Sequence, residues 1–154
     1  MDDFSIARTI HVLSIVLWIG GVAFVTLVVF PAIRNNSAPE LRLEAFHRIE
    51  GRFSRQARLW VLLAGASGLW MVHRAGLWTR FADPAFWWMH AMVGLWLVFA
   101  SVLFVAEPLV LHRRMINSPQ PARDFDRLQR GHWILLALAL LTVAGAAAGA
   151  RGLL

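Results

Sequence analysis

From Thr9 to Ile33 the chain carries no Asp, Glu, Lys or Arg, and three further stretches repeat that pattern: Arg58 to Arg74 between its flanking arginines, Pro84 to Ala106, and Gly131 to Ala150. A bilayer core of about 30 Å is crossed by roughly 20 apolar helical residues, so such runs limit the chain more than any other feature does. Each is read as a membrane-spanning helix, over residues 6–33, 57–77, 84–111 and 131–152. The second has the shortest charge-free core and spans if Arg58 and Arg74 extend their guanidinium groups to the two interfaces. The first is too long for a signal-peptide core and lacks a small-residue cleavage site, which makes it a retained helix. Composition agrees, with 58% of the 154 residues hydrophobic and only 16% charged. The expected fold is an all-α integral membrane protein: a single domain over 1–154, built as a four-transmembrane-helix bundle.

The basic residues are all arginine, and their placement is a topology signal. Arg34, Arg42, Arg48, Arg52, Arg55 and Arg58 separate the first two runs; Arg113, Arg114, Arg123, Arg127 and Arg130 separate the last two. The other side holds Arg8, Arg74, Arg80 and Arg151 beside Asp2, Asp3 and Asp83. The positive-inside rule then puts both long loops in the cytoplasm and both termini in the periplasm of a bacterial-type inner membrane. The net charge of +6 is explained by this asymmetry and calls for no nucleic-acid partner. In "SAPELRLEAFHRIEGRF", Ser37 and Glu40 form a capping-box pattern, and Leu41, Ala45, Ile49 and Phe53 make one apolar stripe, which predicts an interfacial helix feeding helix two. In "SPQPARDFDRLQRGH", prolines suit a helix start and Asp126 stands four before Arg130. Gly20, Gly21, Gly65, Gly68, Gly94 and "AGAAAGARG" supply the small faces on which helices pack in lipid. Trp78, Trp87, Trp88 and Trp133 lie nearest the expected boundaries, where tryptophan anchors.

The chain has no cysteine, so a soft-metal site must use imidazole and thioether groups. His11, His73 and His90 fall toward the outer side on three different helices, whereas His47, His112 and His132 fall among the arginines. Met71 precedes His73, and Met89 and Met92 flank His90. Such a set suits copper, above all Cu(I), and the same side chains serve as axial ligands of haem iron. The candidate copper ligands are His11, His73, His90, Met89 and Met92. For haem b they are His11 and His90, with Gly94 on the His90 face making room for a macrocycle and His132 as a ligand nearer the cytoplasm. With about 100° between successive residues, Met89 and Met92 do not both point with His90. The plainer reading is that these histidines bond a serine or carbonyl on the next helix and that the methionines pack. For Glu107 the expectation is a salt bridge to a loop arginine, with Pro108 ending the span.

The stretch "RTIHVLSIVLWIGGVAFVTLVVFPAI", containing H-x6-W-x-GG, and "GRFSRQARLWVLLAGASGLWMV", containing RFSR, resemble the CopD-like copper-resistance membrane domain over most of the chain. The resemblance implies an inner-membrane protein of copper movement or tolerance, with His11 and His90 as metal-site residues and Arg52, Phe53 and Arg55 as a cytoplasmic signature. The chain is more distantly similar to the HemJ-like haem-binding four-helix proteins, whose lysine-containing pattern has no counterpart in a chain without lysine. Three functions follow as expectations. One is copper binding or transport through a His/Met site near the periplasmic face, and another is haem b electron transfer linked to quinone or porphyrin. The third is a noncatalytic scaffold. Beyond the bilayer, the partners this reading admits are a metal ion or haem, a quinone, a periplasmic metal carrier and a second copy of the chain. The sequence offers no nucleophile with a base, no paired intramembrane carboxylates and no phosphate loop, so cofactor redox chemistry is the one enzyme class left open.

Overall fold

The computed structural model describes residues 2–111 and 118–151, with side chains at all of these but 108–111. His112, Arg113 and Arg114, and the last residue of the helix expected over 131–152, lie outside the described residues. Helix α1 is Asp3–Asn36, π-wound over Val25–Val29. Helix α2 is Arg42–Arg74. Helix α3 is Trp87–Ser101, continued by a π-wound segment Val102–Leu111, and α4 is Pro121–Gly149. Short 3-10 turns at Pro39–Leu41, Leu77–Ala82 and Pro84–Phe86 connect them, and no strand occurs among the described residues.

Local chemistry sets the ends. The Asp2 carboxylate accepts from the Ser5 amide at 2.7 Å and caps α1, where a negative group also suits the helix dipole. Past α2, Gly76 takes φ 63°, a left-handed turn that a side chain would strain. The segment expected as an interfacial helix feeding helix two is continuous with it: α2 runs unbroken from Arg42 to Arg74. The Ser37 capping box does not form, and neither Ala38 nor Leu41 makes a side-chain cap. Pro39, with its fixed φ, opens a 3-10 turn instead, and the α-helix begins after it. The Asp126 carboxylate does not pair with Arg130, whose Nε donates to the Asp126 backbone carbonyl at 3.3 Å; it pairs with Arg34 of α1 at 2.5 Å, tying α1 to α4.

The helices run antiparallel in sequence order. Helix α1 packs along α2 and α3 along α4, α2 also touches α3 and α4, and α1 and α3 stand diagonally. Across that diagonal Trp18 meets Phe99 edge to face at 4.8 Å, within a core of Ile19, Val22, Val61, Ala64, Leu136 and Ala139. At the arginine-rich end Phe30 stacks on Phe46 at 4.6 Å and meets Phe125 at 5.2 Å. The seams are rings seated on glycine: Phe53 on Gly21, Trp96 on Gly65, His11 on Gly68, Trp87 on Gly145 and Trp88 on Gly149. Trp88, expected as an interfacial anchor, is buried in this way, whereas Trp78 and Trp133 are exposed.

Polarity is inverted relative to a water-soluble bundle. Leu141, Ile134 and Leu13 are 68%, 61% and 54% exposed, while Ser14, Thr26, Ser54, Ser67 and Thr142 are buried. Thr26, Ser67 and Thr142 satisfy their hydroxyls by donating to the carbonyl four residues back. Among the described residues three helices, Asp3–Asn36, Pro84–Glu107 and Pro121–Gly149, are long and apolar enough to cross a membrane. The protein is a helical membrane protein by this measure.

A Cβ on Gly65 would stand 2.6 Å from the Trp96 ring, whereas one on Gly20 or Gly94 would meet nothing within 4 Å. Thermal unfolding in detergent is expected to show Gly65→Ala destabilised by roughly 1–3 kcal/mol, with Gly20→Ala neutral or slightly stabilised.

Candidate functional site

The outer histidines do not converge. His90 lies on the exposed face of α3, where its Nε2–H donates to the Phe81 carbonyl at 3.0 Å and its ring meets Phe81 edge-on at 5.4 Å. Gly94 shares that outward face and is open. His73 is exposed beside Trp70, next to the Arg74–Asp3 ion pair at 2.9 Å. Met89 is buried and Met92 half-buried, so helix geometry separates both from His90. A single copper site of His11, His73, His90, Met89 and Met92, or a haem held between His11 and His90, does not fit this arrangement. The reason is rotational: Trp88 and Met89 turn inward on α3, which carries His90 out. Among the described residues no group of three or more His, Asp or Glu is placed to hold a metal ion.

His11 and His132 are built differently. His11 lies in the α1–α2 seam over Gly68, where a Cβ would stand 3.0 Å from its Cε1. Its Nδ1 is 2.9 Å from the Ala64 carbonyl and 3.3 Å from the Ser67 hydroxyl. A carbonyl only accepts, so Nδ1 carries the proton and the neutral ring keeps its lone pair on Nε2. His132 of α4 repeats this with the Leu128 carbonyl at 2.9 Å, its ring held edge-on by Phe30 at 4.9 Å. Such a bond from the far ring nitrogen is what orients histidine ligands in metal sites.

The largest departure from the sequence reading is a cavity of about 360 Å³ at the arginine-rich end, bordered by His132 and by residues of all four helices. Two prolines explain its position. Pro31 and Pro108 supply no backbone N–H to their helices, and π-wound segments occur at both, Val25–Val29 ending two residues before Pro31 and Val102–Leu111 running through Pro108. Val25 and Val29 wall one side; Val102, Leu103 and Glu107 wall another. The polar groups stand on a stripe of α2, where Glu50, Ser54 and Arg58 recur every four residues. Ser54 donates to the Glu107 carboxylate and Arg58 pairs with it at 3.2 Å, so the salt bridge expected for Glu107 forms. Glu50 faces His47 at 3.9 Å, and Arg127 pairs with Asp124 at 3.1 Å. His47, one of the histidines among the arginines, is half-buried here. Within RFSR, Phe53 fills the Gly21 notch, Ser54 reaches Glu107, and Arg55 bonds the Gly51 carbonyl at 3.2 Å. The spacing 50, 54, 58 was the one sequence signal for this site; that Glu107 meets it from another helix was not visible there.

Comparison with family models, with curated proteins and with solved structures gives no match. The resemblance to the CopD-like domain therefore rests on its motif residues.

Glu50 precedes the span expected over 57–77, and burial, followed by the nearby Glu107 carboxylate, pushes its carboxyl from 4.5 up to about 7. Below pH 4.5 folded and unfolded chains both hold this proton, so Glu50 costs nothing. As pH rises to 7 the unfolded chain releases it first, and stability falls by on the order of 3 kcal/mol, remaining lost above pH 7. Glu50→Gln is expected to melt with the parent at pH 4 and above it at pH 8, measured by circular dichroism in detergent.

Proposed function

We propose that the protein is an integral membrane protein that handles a soft metal ion, copper, through imidazoles near the two ends of a four-span bundle. The observation that carries this reading is the shared anchoring of His11 and His132. Each gives its Nδ1 proton to a backbone carbonyl, which leaves Nε2 as the ligand atom. Neutral imidazole suits copper, and a cargo ion in passage needs few protein ligands at each stop. His11 lies about 12 Å along α1 from Asp3, and His132 about 16 Å along α4 from Pro121, at opposite ends. The H-x6-W-x-GG resemblance, in which His11 is the histidine, favours copper as the cargo. His90 drops out as a ligand because it stands on the outward, exposed face of α3, away from the other imidazoles.

In this reading α2 is the fourth span, the arginine-rich end is cytoplasmic, and both termini are periplasmic. The chain has no cysteine of its own, so introduced thiols report position cleanly. In spheroplasts an impermeant maleimide is expected to label Ala75→Cys at once and Gln120→Cys only after permeabilisation. The reverse order would overturn the orientation.

Protein purified in mild detergent with copper supplied is expected to retain copper by elemental analysis. His90→Ala keeps it, while His11→Ala and His132→Ala each lower it at least severalfold. Loss in His90→Ala with retention in both others would sink the proposal. Haem b is a second reading, favoured because the His132 ring borders an apolar cavity; the iron would supply one-electron chemistry there. It requires a Soret band that disappears in His132→Ala.

A further inference from the structure

We propose that the cavity at the arginine-rich end is a binding site for a lipophilic organic cation, with Glu50 as the residue that neutralises its charge. The charge balance inside the cavity is the first ground. Three carboxylates border it, and two are already matched: Glu107 by Arg58 at 3.2 Å and Asp124 by Arg127 at 3.1 Å. Among the described residues no arginine pairs with Glu50; its side chain is 18% exposed and faces His47 at 3.9 Å. From α4, His132 is the remaining titratable group on the same wall. A buried carboxylate without a matched cation is costly, and a proton or a positive ligand relieves that cost.

The walls decide which positive ligand. Val22, Val25, Phe53, Phe99, Leu103 and Leu135 give the cavity an apolar lining, and its volume of about 360 Å³ lies in the range of small-molecule sites, roughly 300–1,000 Å³. A hard inorganic cation such as calcium or magnesium needs several converging oxygen ligands, and the described residues offer no such group. A monovalent cation on an apolar body matches both the lining and Glu50. A second cavity of about 640 Å³, bordered by Glu40, Glu44 and His47, adjoins the first and shares Glu50 and Glu107 with it. Arg48, which borders that second cavity, is paired with Glu44 at 2.5 Å. The proposal is independent of the metal reading.

Tetraphenylphosphonium and tetraphenylborate have the same shape and opposite charge, and calorimetry with the full chain in nanodiscs separates the terms. The cation is expected to bind with at least tenfold higher affinity than the borate, after subtraction of partition into empty nanodiscs. Glu50→Gln is expected to remove that preference, while Glu50→Asp keeps part of it. Gly131→Leu fills the cavity at a position where a Cβ meets nothing within 4 Å, and it should abolish binding while the chain stays helical. Equal binding of the two ions, an unchanged preference in Glu50→Gln, or cation binding that survives Gly131→Leu would each overturn the proposal.

Discussion

The bundle depends on rings seated against glycines. Lipid tails are as apolar as leucine, so helices in a bilayer gain little from burying apolar surface against one another and associate through close packing and hydrogen bonds. Here that closeness is local and specific. Phe53 joins α2 to α1 at Gly21, His11 returns the contact from α1 to Gly68, and Trp96 of α3 lies on Gly65 of α2. Trp87 and Trp88 close α3 on α4 at Gly145 and Gly149. Trp96 adds a hydrogen bond from its Nε1 to the Val61 carbonyl at 2.8 Å, a bond worth having where water is excluded. These seats fix the rotation of each helix and thereby decide which other side chains face inward.

The rotation has chemical consequences. With Trp87 and Trp88 turned toward α4, His90 must turn outward, and the expected outer cluster cannot assemble in one chain. With Phe53 in the Gly21 notch, the next residue, Ser54, meets Glu107, and Glu50 one turn earlier borders the same cavity. The prolines contribute by widening the helices at that level: a π-wound turn accommodates the missing donor and displaces the backbone, so space remains where four regular helices would close. Around that space the charges are tied down across helices, Arg34 to Asp126 and Arg58 to Glu107. The pairs straddle the end of the bundle where the positive charge of the chain is concentrated.

Much of this was legible in the sequence. Long charge-free runs between arginine clusters are enough to imply membrane helices, because the cost of an unpaired charge in lipid is large and independent of fold. Of the small-residue faces, Gly21, Gly65, Gly68 and, in the last helix, Gly145 and Gly149 were visible as packing positions, whereas Gly20 and Gly94 meet no neighbour; the salt bridge of Glu107 was visible too, since a carboxylate near a helix end among arginines has few alternatives. Other features depended on competition between local signals. Ser37 and Glu40 spelled a capping box, but Pro39 between them imposed a 3-10 turn. Asp126 stood correctly for a pair within its helix and was taken instead by Arg34. The histidine tier failed for a related reason: depth along a helix follows from residue number, but azimuth depends on which face the neighbours select.

The sequence by itself determined a helical membrane chain and the position of each histidine along its apolar or arginine-rich segment. Both follow from distance along a helix of fixed rise and from the aversion of charge to lipid. Tertiary structure decided which imidazoles are held with a free Nε2, which glycines are notches, and that Glu50, Ser54, Glu107 and His132 share one cavity. Those are matters of rotation and register between helices, set by where bulky rings find room, and a single run of apolar residues carries no record of the surface it will meet.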